Sequence, residues 1–217
     1  KGLIANPNCS TTIMVVALYP LYNISKIKRI IVSTYQAVSG AGKEGLEELE
    51  VQNKQLLNGE ETKPRTFQYQ IAANLIPHID VWMEENYTKE EMKMVYETHK
   101  IFNDSEIGIT ATTVRVPVYR SHSESIYIET EEPISPERAK EVLAASKGIV
   151  VQDDPQNNIY PMPLFTSNSD EVYVGRIRKD LFEPKGLNLW VVSDQIRKGA
   201  ATNAVQIGEE LLNNNLI

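Results

Sequence analysis

The chain has 217 residues, enough to bury a substantial core in one domain or two small ones. Its composition, 41% hydrophobic and 24% charged, is that of a soluble globular protein, and its formal net charge of -7 argues against a general nucleic-acid surface, which needs clustered Lys and Arg. No apolar run approaches the roughly 18–20 residues that span a bilayer, so neither nucleic acid nor membrane is an expected partner.

Leu3 to Ala5 reads as the end of a strand begun upstream. With no initiator Met and no signal-peptide pattern, residues 1–7 are expected to be the residual end of a preceding domain. Asn6-Pro7-Asn8 turns the chain, and a helix is predicted from Ser10 or Thr11 to about Leu18, ended by Pro20. Arg29 to Gln36 is β-branched and aromatic, a predicted strand that Ser39-Gly40-Ala41-Gly42 breaks. Lys43 to Leu57 is amphipathic and helical, and Gly59 to Pro64 is a polar loop. Thr88 with Glu91 forms a capping-box pattern, which predicts a helix to Phe102 with Met92, Val95, Tyr96 and Ile101 on its inner face. Ile109 to Tyr119 is a strand, with Pro117 marking an edge or bulge. It is expected to pair with Glu124 to Thr130 through a corner at Ser121-His122. Ser135-Pro136 opens a helix that Gly148 closes. Glu171 to Ile177 and Leu187 to Val192 are strands, and Asp194 to about Asn213 is one long terminal helix. This irregular interleaving favours an α+β fold, a mixed and mainly antiparallel sheet covered by helices, over a doubly wound parallel one.

Cys9 is the one cysteine, so no internal disulfide forms, which fits a reducing, cytoplasmic setting. A lone cysteine is usually inert core. Cys9, however, falls between a proline turn and a predicted helix N-terminus. There, unpaired N–H groups and the helix dipole are expected to lower a thiol's pKa and to cradle an oxyanion. That is where an attacking thiol belongs.

The string Asn6-Pro7-Asn8-Cys9-Ser10-Thr11-Thr12 closely resembles the active-site signature of aspartate-semialdehyde dehydrogenases, distant relatives of glyceraldehyde-3-phosphate dehydrogenase. The related N-acetyl-glutamyl-phosphate reductases, the nearest alternative, carry a glycine before the cysteine and a tyrosine after it, where this chain has Asn8 and Ser10. The resemblance covers essentially the whole chain. It includes Tyr35-Gln36-Ala37-Val38-Ser39-Gly40-Ala41-Gly42, Glu90-Glu91-Met92-Lys93, Arg115-Val116-Pro117-Val118, His122-Ser123-Glu124-Ser125 and Asp194-Gln195-Ile196-Arg197-Lys198-Gly199-Ala200-Ala201. It implies the fold of the C-terminal domain of glyceraldehyde-3-phosphate dehydrogenase-type enzymes. Residues 1–217 would then be a catalytic and dimerisation domain whose terminal helix, about 194–217, packs on an absent NADP-binding domain. The implied reaction is NADPH-dependent reductive dephosphorylation of L-aspartyl 4-phosphate to L-aspartate 4-semialdehyde, in the biosynthesis of lysine, methionine, threonine and isoleucine. Its partners are that substrate pair, phosphate and a second copy of the chain, and the isolated chain is expected to be inactive. A non-catalytic dimerisation module is the alternative of a different class.

The resemblance also implies roles. Cys9 is the nucleophile that forms a thioester, and His122 is the acid/base group, although composition alone would make it a surface histidine beside serines. Arg115 pairs with the substrate α-carboxylate, where a bland alternative is the exposed position of a strand. Glu90 meets the α-ammonium and Lys93 the phosphate, although residues three apart on a helix can equally be a surface ion pair. Gln36 holds the acyl group, and its alternative is a satisfied core amide. Ser39, Gly40 and Gln195 are the implied NADPH contacts. No metal site is expected. His78 and His99 match nothing and are expected to be structural or solvent-facing.

Overall fold

The computed structural model describes residues 2–216, so Lys1 and Ile217, the outermost residues of the expected terminal segments, lie outside them. Helix α1 (Cys9–Tyr22) starts where Asn8 turns its side chain back, the Oδ1 accepting from the backbone N–H of Ser10 at 2.9 Å and of Thr11 at 3.1 Å. Its sides are apolar nearly all round, and Ile13, Met14, Ala17, Leu18 and Leu21 are fully buried. The helix does not end before Pro20 as expected. It continues through it to Tyr22, because burial of Leu21 outweighs one missing hydrogen bond. Leu3 to Ala5 forms no strand: it has no ladder partner and stays exposed.

Among the described residues six strands make one sheet: β1 (Ile27–Gln36), β2 (Gly108–Arg115), β3 (His122–Thr130), β4 (Ile149–Val151), β5 (Val172–Lys179) and β6 (Gly186–Ser193). Their order is β2-β1-β3-β6-β5-β4, with β1–β2 and β4–β5 parallel and the other three pairs antiparallel. The sheet is therefore mixed and mainly antiparallel, as the element pattern implied. The expected pairing of β2 with β3 does not occur, because β1 lies between them. The strand predicted to reach Tyr119 stops at Arg115. Beyond it, Pro117 cannot donate to a ladder, and the chain instead runs beside the turn after β1, where Val38 donates to the Val118 carbonyl at 2.8 Å.

Helices α1, α3 (Lys89–Phe102) and α4 (Pro136–Ala144) pack on the sheet around the main core, in which Ile13, Met14 and Leu18 meet Ile30, Val32, Ile126, Ile128, Leu189 and Val191. Each such fully buried side chain contributes about 1.5–3 kcal/mol. Helix α2 (Gly42–Leu57) helps to bury a second cluster, Val38, Leu49, Phe67, Ile71, Ala72 and Ile76. The Thr88–Glu91 capping box is present. The inner face of α3 is nevertheless Glu90, Glu91, Met94, Thr98 and Phe102, while Tyr96 and Ile101 are exposed. Polar partners decide this. Glu91 accepts from the backbone N–H of Thr88 and of Thr113, so a charged face turns inward. After the single turn α5 (Pro163–Thr166), the chain's last segment is not one helix. Buried Asp194 accepts from the N–H groups of Ile196 and Arg197. A π-helical turn, Arg197–Ala201, follows, and then α6 (Thr202–Asn213).

Candidate active site

The core-facing positions of the sheet turn polar at one end. In register across the strands stand Arg115 beside Gln36, Glu124 beside Thr34, and His122 beside Ser193. All six are buried. The mouth of α1 is tied to this end from β1: Gln36 Nε2 donates to Ser10 Oγ at 2.9 Å and to Glu90 Oε1 at 3.2 Å. Asn8, besides capping α1, donates through Nδ2 to Glu90 Oε1 at 3.0 Å, and its backbone N–H meets Glu97 Oε2 at 2.7 Å.

Cys9 is the first residue of α1 and is half-buried. Its thiol is not lowered, as the helix mouth alone led one to expect, but pushed up to about 12. Removal from water is the main cause, and the carboxylates of Glu90 and Glu124 add to it. The Ser10 N–H pulls the other way, yet the N–H groups of Ser10 and Thr11 are already engaged by Asn8 Oδ1. In the resting site the sulfur is a thiol.

His122 is fully buried, which excludes the surface alternative. Its Nδ1 accepts the N–H of Ala37 at 3.1 Å, and the carbonyl of the same Ala37 accepts from Arg115 Nη1 at 2.8 Å. The backbone of one residue, Ala37, directly after Gln36, thus fixes both side chains. Burial first, then the Arg115 charge, holds His122 well below the ordinary histidine range, so the ring is neutral. With Nδ1 accepting, its proton sits on Nε2, which has no partner among the described residues. Arg115 is itself pinned by backbone bonds to Ile76 on one side and by the β1 ladder on the other, and its guanidinium lies 5.8 Å from the centre of the Phe67 ring. Gly40 closes this corner. A Cβ there would come within 2.8 Å of Arg115 Nη1 and 3.3 Å of His122 Nε2.

The remaining expected residues divide. Glu90 is buried and engaged by Asn8, Gln36 and Lys93. Lys93 forms the ion pair of the bland alternative, 3.3 Å from Glu90, and a second one 2.9 Å from Asp80. Gln195 does not open a helix. It lies buried in the turn before the π-helical segment, donating to Ser39 Oγ at 2.5 Å and accepting the Ser121 N–H at 3.0 Å. Ser39 and Gln195 are therefore a linked pair beside Gly40. His99 bonds the Ile107 carbonyl at 2.8 Å and His78 stacks on Trp82. Among the described residues no group of three or more His, Cys, Asp or Glu could hold a metal ion. The sequence pattern missed Asn8 as cap and link, Gly199, which packs on Cys9, and Glu124. Glu124 was detectable: it is a charged residue at a core-facing position, alternating with Ile126 and Ile128.

With this fold and this cysteine-bearing helix mouth, the chain belongs to the semialdehyde dehydrogenase family, whose dimerisation domain matches residues 18–198. Among particular proteins it is similar to the aspartate-semialdehyde dehydrogenase of Aquifex aeolicus (strain VF5), 60% identical over 219 residues, which cover 100% of this chain and 64% of that protein. The Campylobacter jejuni enzyme of the same name is 54% identical over 97% of this chain and 62% of its own length. The crystal structure of aspartate semialdehyde dehydrogenase II complexed with ASA from Vibrio cholerae superposes with a TM-score of 0.93 at 50% identity, over 97% of this chain and 62% of that one. An NADP-bound aspartate semialdehyde dehydrogenase from Candida albicans gives 0.74 at 26% identity, over 100% of this chain and 59% of that one. The chain thus spans 62–64% of the length of these first two relatives.

Proposed function

We propose that this chain, residues 1–217, is the catalytic and dimerisation part of a cytoplasmic, NADP-dependent aspartate-semialdehyde dehydrogenase, which converts L-aspartyl 4-phosphate to L-aspartate 4-semialdehyde. The observation that carries this is the backbone of Ala37. It anchors His122 through its N–H and Arg115 through its carbonyl, next to a Gln36 that reaches the mouth of the Cys9 helix.

Cys9, once deprotonated, attacks the acyl carbon. The C–S bond forms, the C–O bond to phosphate breaks, and the substrate is held as a thioester. Arg115 has spare N–H donors beside the one given to Ala37, and these form the fork for the α-carboxylate. Glu90 receives the α-ammonium, and Lys93 exchanges Asp80 for the departing phosphate. Gln36 holds the acyl group in place. His122 aims its Nε2–H at the acyl oxygen and stabilises the negative charge that gathers there until the C–S bond breaks and the aldehyde leaves. NADPH, when bound, supplies the hydride. Ser39, Gly40 and Gln195, grouped beside Arg115 and His122, are the residues of this chain that would meet it.

The rest of the cofactor's grip is assigned to the part of such an enzyme outside the matched segment, so the chain alone is expected to turn nothing over. Ile196, Val205 and Leu212, exposed near the C-terminus, would pack on that part. A homodimer would form through the sheet face opposite α1, where Tyr35 and Trp190 lie 5.5 Å apart. The test joins this chain to the remaining part of the Aquifex relative and measures phosphate-dependent NADP reduction with aspartate semialdehyde. Turnover that Cys9→Ala abolishes is expected. Activity that survives Cys9→Ala, or that requires N-acetylglutamate semialdehyde instead, would overturn the proposal.

A further inference from the structure

Arg115 is buried and joins no ion pair among the described residues, Glu90 being paired with Lys93 instead. Its guanidinium gives one N–H to the Ala37 carbonyl and turns a face to the Phe67 ring, whose centre lies 5.8 Å away. A buried charge so lightly held needs something to fix its plane, and the surroundings of Phe67 supply it.

Phe67 lies in residues 58–75, which form no helix or strand, yet it is buried. Helix α2 accounts for this. Glu48 and Gln52, one turn apart on its inner face, are almost fully buried although both are polar. Glu48 accepts from the backbone N–H of Arg65 at 3.1 Å and from that of Thr66. Gln52 Oε1 accepts from Ile71 at 2.8 Å and from Ala72 at 3.1 Å, while its Nε2 donates to Glu48 Oε1 at 2.9 Å. The two side chains satisfy each other and four backbone donors, and so clamp residues 65–72 at both ends. Phe67 sits between the clamps. Its tip abuts α2 at Gly45, where a Cβ would stand 3.1 Å from Phe67 Cζ. Just beyond, Ile76 exchanges both backbone hydrogen bonds with Arg115, at 3.0 and 2.8 Å. The same segment therefore braces Arg115 by its main chain and by one face of its guanidinium.

We propose that Phe67 is a positioning residue that sets specificity for the substrate carboxylate: held by Glu48 and Gln52, its ring fixes the plane of the Arg115 guanidinium. A guanidinium takes a carboxylate through two parallel N–H bonds in its own plane, so a rotated plane loses the fork while keeping the charge. The apolar ring also shields one face from water, which strengthens the attraction of an anion arriving at the free edge. Selection then falls on substrates that carry a carboxylate beside the amine. This rests on Arg115 being the α-carboxylate site and adds residues outside the assigned set.

The experiment compares two aldehydes in the joined enzyme, aspartate semialdehyde and 3-aminopropanal, which lacks only the α-carboxylate. Phe67→Leu should lower the ratio of their kcat/KM values by about five- to tenfold, through a raised KM for aspartate semialdehyde. In an Arg115→Lys background the same substitution should leave the ratio unchanged, because the effect passes through the guanidinium. Glu48→Gln, which loosens one end of the clamp, should act in the same direction but less. A ring that served the fold alone would depress both substrates equally, and an unchanged ratio overturns the proposal. A second measurement, on the chain itself, needs no turnover. Nitrogen NMR of the Arg115 side chain should show two separate Nη signals in the wild type and one merged signal in Phe67→Leu. Separate signals in the variant would mean that Ala37 alone holds the plane, which also overturns the proposal. Should Phe67→Leu not fold, Glu48→Gln is measured in its place. A joined enzyme that reduces NADP with neither aldehyde, while the Nη signals merge as stated, would refute the assigned reaction and leave the role of Phe67 standing.

Discussion

Gly199 lies so close to Cys9 that a Cβ at position 199 would stand 3.0 Å from the Cys9 Cβ and 3.3 Å from its Cα. The π-helical turn Arg197–Ala201 makes this contact, so a wide, irregular backbone turn backs the first residue of α1. A methyl at 199 must push the sulfur-bearing backbone by a few tenths of an ångström. Gly199→Ala is therefore expected to cut kcat/KM of the joined enzyme, and the rate of Cys9 alkylation, by about tenfold, with little change in Tm. Unchanged rates would mean that Gly199 does not position the thiol.

Asn8 does two jobs that substitutions can separate. Asn8→Ala removes the cap and should cost about 1 kcal/mol in a denaturant titration. Asn8→Asp keeps the accepting oxygen but turns a donor to Glu90, now at 3.0 Å, into a second carboxylate. That variant should be less stable than wild type at neutral pH and regain most of the loss near about pH 4, where one carboxyl is protonated. Equal deficits at both pH values would show that the link to Glu90 contributes nothing.

His122 is held below its ordinary value by burial and by Arg115. The unfolded chain therefore takes up a proton that the folded protein resists. The resulting stabilisation is present above about pH 6.5 and is lost as pH falls towards the folded value. Urea midpoints should drop between about pH 7.5 and about pH 5.5, and His122→Gln should flatten that slope. Proton NMR of the ring should show no titration near neutrality, and a normal histidine titration there would contradict the buried Nδ1–Ala37 arrangement.

Arg115→Lys keeps the charge and loses the planar fork. In the joined enzyme it should raise KM for aspartate semialdehyde by about tenfold or more, with a smaller effect on kcat. If the kinetics stayed those of wild type, the α-carboxylate would have to be bound elsewhere.

Local physics was readable from residue order. The Thr88–Glu91 capping box, the Ser135-Pro136 helix start, the β-branched runs that became β1, β3, β5 and β6, and the mixed character of the sheet all stood in the sequence. So did Cys9 at a helix mouth, and the motifs holding Gln36, Arg115 and His122.

Tertiary structure alone decided the rest. Periodicity says which face of a strand is buried but not which strand lies beside it, so β1 between β2 and β3 could not be foreseen. An inward-facing Glu90 or Glu91 violates the apolar pattern of α3 until partners from Asn8, Gln36 and Thr113 arrive from distant parts of the chain. The sign of the Cys9 shift was lost for the same reason. A helix mouth is a local feature that favours an anion. Desolvation and the carboxylates at 90 and 124 exist only once the chain has folded around the sulfur, and there they are the stronger influence.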